Sequence, residues 1–412
     1  MQALDIKTIR KGGAYKLLLL LIILLYLFLS INFVLGYGGK AFKEPVGDSK
    51  YYEIMVKQLL QKGIYGYKSE VPNAYITPGY PLFLTLNYWI FGYANKPGGP
   101  YTEIRILQAI IGALTLFYIF LIGKRVSGNA TGIVAALLLL LYPAFVKVPM
   151  YLLTETLATF FLIAYIYYQI TALDGKSPWY SLISGMLIGL SVLTRPAGFV
   201  LLFVPFLYSY MIGSRERLLR LFIITLAGFT LVMMPWVVRN VVAIGSPAPF
   251  STHSGDPLLA GVDPYYYKLG PEYKYHGPTY ERVITEKLGD KFSYGLYAIK
   301  EGLKEKPLLY LKWFTIGKFS RLFGFPWVSA EGYLNVLQPI HHVIVVLGWI
   351  GIVIAIRARS IRMISLIIVV TTVTLLAFVP EPRYAFPLLP LLSINAAEVL
   401  VRSWRGGSSM DS

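Results

Sequence analysis

A chain of 412 residues that is 56% hydrophobic and only 14% charged is not an ordinary soluble protein, which would carry about a quarter charged residues. Its apolar residues gather in runs of about twenty, enough to cross a bilayer as helix, so an all-α polytopic membrane fold is expected. The net charge of +17 would suit nucleic acid, but Lys and Arg stand mainly beside the apolar runs, where they anchor to membrane lipids and set topology. Nucleic acid is therefore set aside as a partner.

The N-terminal basic flank leads into an apolar run from Lys16 to Tyr37. No small-residue cleavage site follows it, so a retained first helix is expected rather than a signal peptide. About ten transmembrane spans can be drawn: 16–37, 102–123, 130–147, 150–171, 179–194, 197–213, 218–240, 341–357, 361–379 and 384–402. The fifth and sixth are short and split by Arg195-Pro196, which suggests a tight hairpin. With the N-terminus inside, every inner turn is basic: Arg10, Lys11 and Lys16; Lys124 and Arg125; Lys176; Arg215, Arg217 and Arg220; Arg357, Arg359 and Arg362; Arg402 and Arg405. Both termini are then cytoplasmic, in what reads as a prokaryotic cytoplasmic membrane. The chain has no cysteine, so disulfides give no hint of compartment.

This topology leaves two long outer loops, 38–101 and 241–340, within a single membrane domain spanning 1–412. The first opens at Gly47-Asp48-Ser49 and continues as an amphipathic helix. Tyr51, Met55 and Leu59, with Tyr52, Val56 and Leu60, fall on its apolar face; Lys50, Glu53, Lys57 and Gln61 face away. Gly63 ends this helix, and Pro78-Gly79-Tyr80-Pro81 starts a second apolar segment. Both are too short to cross a bilayer and are expected to lie at its surface. The second loop is rich in Gly, Pro and Tyr. Its stretch Leu308–Phe325 puts Leu309, Trp313, Ile316, Ser320 and Phe323 on one helical face, with Lys312, Lys318 and Arg321 elsewhere, as a third interfacial helix would. No internal repeat and no Gly-rich nucleotide loop is present.

The polar outliers sort by this topology. Asp48, Glu155, Arg195, Arg239 and Arg383 all fall at or near outer helix ends. Ionisable groups at such depth are expensive and usually face a cavity or a partner. Asp48, just before a helix, is placed to act as an N-cap. Arg239 beside Asn240 suits a helix C-terminus, and an interfacial arginine can simply snorkel. Glu155 is expected to pair with one of the arginines, to order the surroundings of Asp48, or to help bind a divalent ion. His341 and His342 are adjacent and point apart. His276 is isolated, and His253 with Asp256 and Asp263 is either a weak hard-ion site or a polar loop.

One resemblance draws these pieces together. Asp48 with Tyr52 four residues on, Gly63 and Tyr65, and the run Pro78-Gly79-Tyr80-Pro81-Leu82-Phe83-Leu84 resemble the first extracytoplasmic loop of the GT-C glycosyltransferases. The nearest branch is similar to the protein O-mannosyltransferases and the aminoarabinose transferases that modify lipid A. Leu153-Thr154-Glu155, Leu193-Thr194-Arg195-Pro196, Pro235 to Asn240, and Glu381-Pro382-Arg383-Tyr384 ahead of Pro387 and Pro390 follow in the family's order. The larger C-terminal soluble part usual in the family has no counterpart in this sequence, which leaves the acceptor class open.

The resemblance implies an extracytoplasmic-face enzyme that moves a sugar from a polyprenyl-phosphate-linked donor to a lipid, glycan or protein acceptor. It makes Asp48 the catalytic acid residue of the family, here the general base of an inverting transfer. Arg195 and Arg383, with Arg239 third, become the donor-phosphate ligands, since a departing phosphate needs a permanently charged fork. Glu155, Tyr52 and Tyr80 are supporting residues, and Tyr65, Tyr75 or Tyr80 could stack on the sugar. No cofactor is implied, and a divalent metal stays open. The alternatives are a polytopic lipid or sugar transporter or flippase, whose usual two matching halves are not visible here, and a non-catalytic assembly factor with the same fold.

Overall fold

The computed structural model describes residues 6–36, 45–175, 177–211, 218–252, 255–265, 291–329 and 332–407; among these the chain is helix, turn and loop, with no β-strand. Lys43, Lys176, Arg215, Arg217, His253 and His276 lie outside the described residues. Among the described residues six helices are long and apolar enough to cross a membrane: Gly13–Gly36, Tyr101–Ser127, Glu155–Leu173, Leu218–Ile244, Leu334–Ala355 and Pro382–Trp404. The protein is an integral, multi-pass membrane protein. Three shorter apolar helices, Pro178–Thr194, Pro196–Tyr210 and Arg362–Leu376, occupy the fifth, sixth and ninth expected spans.

The third expected span is not straight. Helix Asn129–Leu140 and the segment Pro143–Met150 are bent by 69° at the break between them. Tyr142 is extended there, and Pro143 at the first position of the new helix has no N–H to continue the old ladder. The fourth span likewise begins at Glu155 rather than near 150, because Val148–Met150 forms a 3-10 turn around Pro149.

Leu389–Gly407 is the central helix, with Leu391, Leu392, Ile394, Ala396 and Ala397 fully buried. Elsewhere small residues let backbones touch. A Cβ on Gly185 would stand 2.0 Å from the Thr225 carbonyl oxygen, and one on Gly228 would stand 2.3 Å from that of Leu182. Helices Pro178–Thr194 and Leu218–Ile244 therefore pack main chain to main chain, the way membrane helices gain dispersion without a hydrophobic drive.

The loop helices cover one end of this bundle. Asp48–Lys62 closes at Gly63, whose φ of 69° is the left-handed cap expected of a glycine there. It buries Met55 and Val56; the second helix, Gly79–Ile90, buries Tyr80, Leu84 and Tyr88. Val56, Tyr80, Leu84 and Tyr88 join Ile104, Leu152 and Leu157 in a small cluster that fastens both helices to the spans. The second long loop is tied to the first by Thr252 N–H donating to the Ala74 carbonyl (2.8 Å), and to the segment before Arg383 by Val379 N–H donating to the Pro257 carbonyl (2.8 Å).

The helix expected over Leu308–Phe325 forms, but its faces differ from the expected ones. Pro307–Lys312 passes through a π turn, Trp313–Gly317, into Lys318–Phe323. A π turn inserts an extra residue, rotating the helix beyond it by about 100°. Ile316 is thereby exposed and Lys318 is fully buried. The Lys318 ammonium donates to the Leu376 (2.9 Å), Ala377 (3.4 Å) and Phe378 (3.0 Å) carbonyls. It thus satisfies the open C-terminus of Arg362–Leu376 just ahead of the turn that carries Arg383.

Candidate active site

Asp48 is the first residue of its helix, not the cap. Gly47 holds the cap position at φ 56°, and no side chain caps the helix. The N-cap reading of Asp48 is thus overturned, because its carboxylate is turned to a different partner. Asp48 Oδ2 accepts from Arg383 Nη1 at 3.0 Å, joining residues 335 apart in sequence. Burial, and then the nearby Asp48 charge, hold the Tyr67 phenol well above its ordinary range. Arg383 sits on the single turn Pro382–Ala385, held by Pro382 at its start and by the Lys318-capped segment before it.

A second ion pair lies beside the first. Arg195 Nη1 meets Glu155 Oε1 at 2.6 Å, with Thr154 Oγ1 at 3.4 Å. This is the pairing expected of Glu155, whose charge also complements the helix N-terminus it opens. Arg195 is extended (φ −147°, ψ 109°), as a residue before proline prefers, so helix Pro178–Thr194 ends there. The Tyr384 ring lies between the pairs, with the Arg195 guanidinium 4.9 Å and the Arg383 guanidinium 5.3 Å from its centroid.

The first loop braces this arrangement. A Cβ on Gly79 would stand 2.6 Å from Thr194 Oγ1 and 2.7 Å from the Leu193 carbonyl. Helix Gly79–Ile90 therefore abuts the main chain immediately before Arg195. Tyr80 is fully buried and its hydroxyl donates to Gln108 Oε1 (3.0 Å), while Gln108 Nε2 donates to the Pro149 and Tyr151 carbonyls (2.8 Å each). Its ring cannot stack on a sugar. Tyr52 packs between Tyr80 (5.4 Å) and Tyr67 (6.0 Å). Tyr65 is also buried, donating to the Ile76 carbonyl (3.2 Å).

A cavity of about 370 Å³ opens against Asp48, lined by Arg105, Met150, Leu152, Leu153 and Arg383 among others. Its apolar walls and two guanidiniums suit an anionic head on a hydrophobic body. Arg105 went unnoticed in the sequence, though an arginine one turn into a long apolar run is the kind of signal that marks a functional position. It is buried and donates from Nε to the Met150 carbonyl (2.8 Å).

Arg239 is not brought to this cavity. Its guanidinium donates to the Tyr65 (2.7 Å) and Asn73 (2.9 Å) carbonyls and to Asn240 Oδ1 (2.9 Å). Asp256 accepts from the Tyr75 hydroxyl (2.6 Å) and pairs with Lys291, while Asp263 accepts from the Tyr265 N–H (2.9 Å). Among the described residues no three His, Asp or Glu side chains gather as a metal-binding group. His341 is held by the Tyr142 hydroxyl (3.1 Å) and the Phe323 carbonyl (2.9 Å).

Comparison with known proteins agrees with this architecture. The family model described as dolichyl-phosphate-mannose-protein mannosyltransferase matches residues 76–239. No curated protein matches the chain. Among solved structures, ArnT from Cupriavidus metallidurans bound to undecaprenyl phosphate is 14% identical, with a TM-score of 0.57 over 95% of this chain and 62% of its own. The Archaeoglobus fulgidus oligosaccharyltransferase in the apo form is 15% identical, with a TM-score of 0.57 over 94% and 51%. The archaeal oligosaccharyltransferase AglB from Archaeoglobus fulgidus, in complex with an inhibitory peptide and a dolichol-phosphate, is 16% identical, with a TM-score of 0.56 over 94% and 50%. The chain thus spans half to three-fifths of the length of these proteins. Residues 76–239 thus match that family's model, and over nearly its whole length the chain has the fold of these solved proteins.

Proposed function

We propose that the protein is a glycosyltransferase acting on the extracytoplasmic face of the membrane, taking a sugar from a polyprenyl-phosphate-linked donor. The observation that carries this reading is the Asp48–Arg383 pair at the mouth of the cavity. A candidate general base and a candidate phosphate-binding guanidinium are in direct contact at 3.0 Å, and a donor must part them to set its anomeric carbon between acceptor and leaving phosphate. The donor phosphate competes for Arg383 and releases Asp48 from it. Asp48 then takes the proton of the acceptor hydroxyl as that oxygen bonds to the anomeric carbon. The bond from that carbon to the phosphate oxygen breaks, and polyprenyl phosphate leaves with its charge held by Arg383. Arg195, across the Tyr384 ring, adds to the positive field while holding Glu155. Attack opposite the leaving group makes the transfer inverting. The acceptor is a lipid, a glycan or a protein.

The orientation belongs to the same reading. Lys124, Arg125, Arg362 and Arg402 lie at the bundle end opposite Asp48, so the site faces outward and the basic end inward, with both termini cytoplasmic. The first loop helix, Asp48–Lys62, carries the base. The test is release of polyprenyl phosphate by purified protein given a polyprenyl-phosphate sugar and cell-envelope acceptors. Release by wild type and not by Asp48→Asn supports the reading. Equal release by both removes Asp48 as the base.

A further inference from the structure

Lys318 is a buried charge that the transfer itself does not use. Its side chain is fully buried, and among the described residues its partners are the carbonyls of Leu376, Ala377 and Phe378 and the face of the Phe314 ring, 3.8 Å from Nζ. None of these is a carboxylate. Taking an ammonium out of water for main-chain partners is costly, and a neutral donor or a water could cap the same helix end. The π turn Trp313–Gly317 is what rotates Lys318 inward, and such turns are frequent at functional sites. The place to look for a function is therefore where the three carbonyls lead.

They lead to Arg383. Phe378, whose carbonyl accepts from Lys318 at 3.0 Å, also abuts the short helix Gly255–Val262: a Cβ on Gly261 would stand 2.5 Å from the Phe378 main chain. The next residue, Val379, donates its N–H to the Pro257 carbonyl of that helix (2.8 Å). Trp313, at the start of the π turn, donates from Nε1 to the Gly261 carbonyl (2.9 Å), so the element that carries Lys318 also holds the helix. From Val379 onward the backbone has little freedom. Pro380 and Pro382 fix their own φ angles and restrict Val379 and Glu381 before them. Glu381 N–H donates to the Val379 carbonyl (3.0 Å), and Tyr384 N–H to the Glu381 carbonyl (2.9 Å). A shift at Phe378 is passed along this stiff turn to Arg383.

We infer that Lys318 is a positioning residue for Arg383: by fixing Phe378 it sets where that guanidinium stands, and so how tightly the site holds the donor phosphate. Trp313 shares the task through Gly261. The inference rests on the reading of Arg383 as the phosphate ligand, but the placement of Arg383 can be measured with no donor present. A plain helix cap would stabilise the fold and leave the phosphate alone.

The experiment uses the full chain in detergent. Lys318→Met keeps a long side chain and removes the ammonium; it is expected to weaken binding of polyprenyl phosphate about tenfold. Combined with Arg383→Gln it should bind no more weakly than Arg383→Gln alone, because it acts through that arginine. Arg362→Gln is the control for a cap: Arg362 donates to the Ala355 (2.9 Å) and Ile356 carbonyls at another helix end. It should lower the unfolding midpoint and leave polyprenyl-phosphate affinity unchanged. Without any donor, modification of Arg383 by phenylglyoxal, read by mass spectrometry, should quicken several-fold in Lys318→Met and not in Arg362→Gln, as the guanidinium loses its place against Asp48. Trp313→Phe keeps an aromatic ring, removes the bond to Gly261 and should show the same pattern at a few-fold; if Lys318→Met does not fold, this variant decides. Wild-type affinity together with wild-type labelling overturns the inference. So does an equal loss of binding with and without Arg383, or the same loss in Arg362→Gln. If wild type does not bind polyprenyl phosphate, the transferase reading falls, and the labelling still decides the positioning.

Discussion

Two ion pairs of the same chemistry stand on either side of Tyr384 in different surroundings. The Glu155 and Arg195 side chains are 2% and 19% exposed and 2.6 Å apart; those of Asp48 and Arg383 are 40% and 30% exposed and 3.0 Å apart. In the first pair the charges have left water, and each depends on the other for its place. In the second the partners still touch the cavity, and solvent or a ligand can replace either. A buried pair costs more to break than it contributes to stability, whereas a half-exposed pair is cheap to open. The contrast separates a pair that holds the site from a pair that a substrate can take apart.

The largest expected effect falls on turnover at the open pair. Asp48→Asn should lower release of polyprenyl phosphate by about a hundredfold or more, the range for losing a general base. Since Asp48 does not cap its helix, thermal unfolding should move little, by about 1 kcal/mol or less for a half-exposed pair. Collapse of the fold in this variant would put Asp48 with Glu155, as a structural charge.

The closed pair should behave in the opposite way. Glu155→Gln strands the Arg195 guanidinium, and Arg195→Gln strands a carboxylate that is almost fully buried; each should cost about 3 kcal/mol, read as a drop in unfolding midpoint. The molecules that stay folded should keep most of their turnover in Glu155→Gln. If Glu155→Gln is as stable as wild type and as inactive as Asp48→Asn, Glu155 belongs to the chemistry and the contrast fails.

A smaller effect, about thirtyfold, is expected at Arg383, where a charged hydrogen bond to phosphate is worth about 2 kcal/mol. Arg383→Gln should weaken binding of polyprenyl phosphate and slow transfer together, because the phosphate is charged before it leaves and more so as it leaves. Lys should recover only part, lacking the fork. Acceptor affinity, measured separately, should stay put. Unchanged binding of polyprenyl phosphate to Arg383→Gln would move the phosphate toward Arg105 on the far wall of the cavity.

How much of this could be read from the sequence depends on the length scale of each feature. The membrane class, the long spans and the helix from Asp48 to Gly63 follow from local periodicity, and the structure has them. That Glu155 pairs with one of the arginines followed from the charges gathered at one leaflet; that the partner is Arg195 did not. The bend at Tyr142-Pro143 was visible as a proline inside an apolar run, yet composition let the run pass as one span. The inward turn of Lys318 was not legible, because a single π turn at Trp313–Gly317 shifts the register without any distinct residue. Arg239 read as a phosphate ligand because its charge and depth are visible in the chain. Only the fold reveals the two carbonyls it meets.

The smallest expected effect tests whether the first loop braces the closed pair. Gly79 does not adopt a left-handed conformation, so it is needed for the close approach to Leu193-Thr194 and not for its turn. A methyl there would stand 2.6 Å from Thr194 Oγ1, whose hydroxyl is already bonded to the Leu190 carbonyl (2.8 Å), and 2.7 Å from Leu193 main-chain atoms. Neither neighbour can swing aside as a long side chain would, so the helix end must move, and Arg195 is the next residue. Gly79→Ala should cost about 1 kcal/mol, the low end for overpacking, with a few-fold loss of turnover as the pair and the shared Tyr384 ring shift. Gly63→Ala provides the control. It forces a side chain into φ 69° at the far end of the Asp48–Lys62 helix, with no atom within 4 Å of the new Cβ. It should lose about 1 kcal/mol of stability and none of the turnover per folded molecule. Equal turnover losses in the two variants would mean that strain anywhere in the loop reaches the site, and that Gly79 has no particular hold on Arg195.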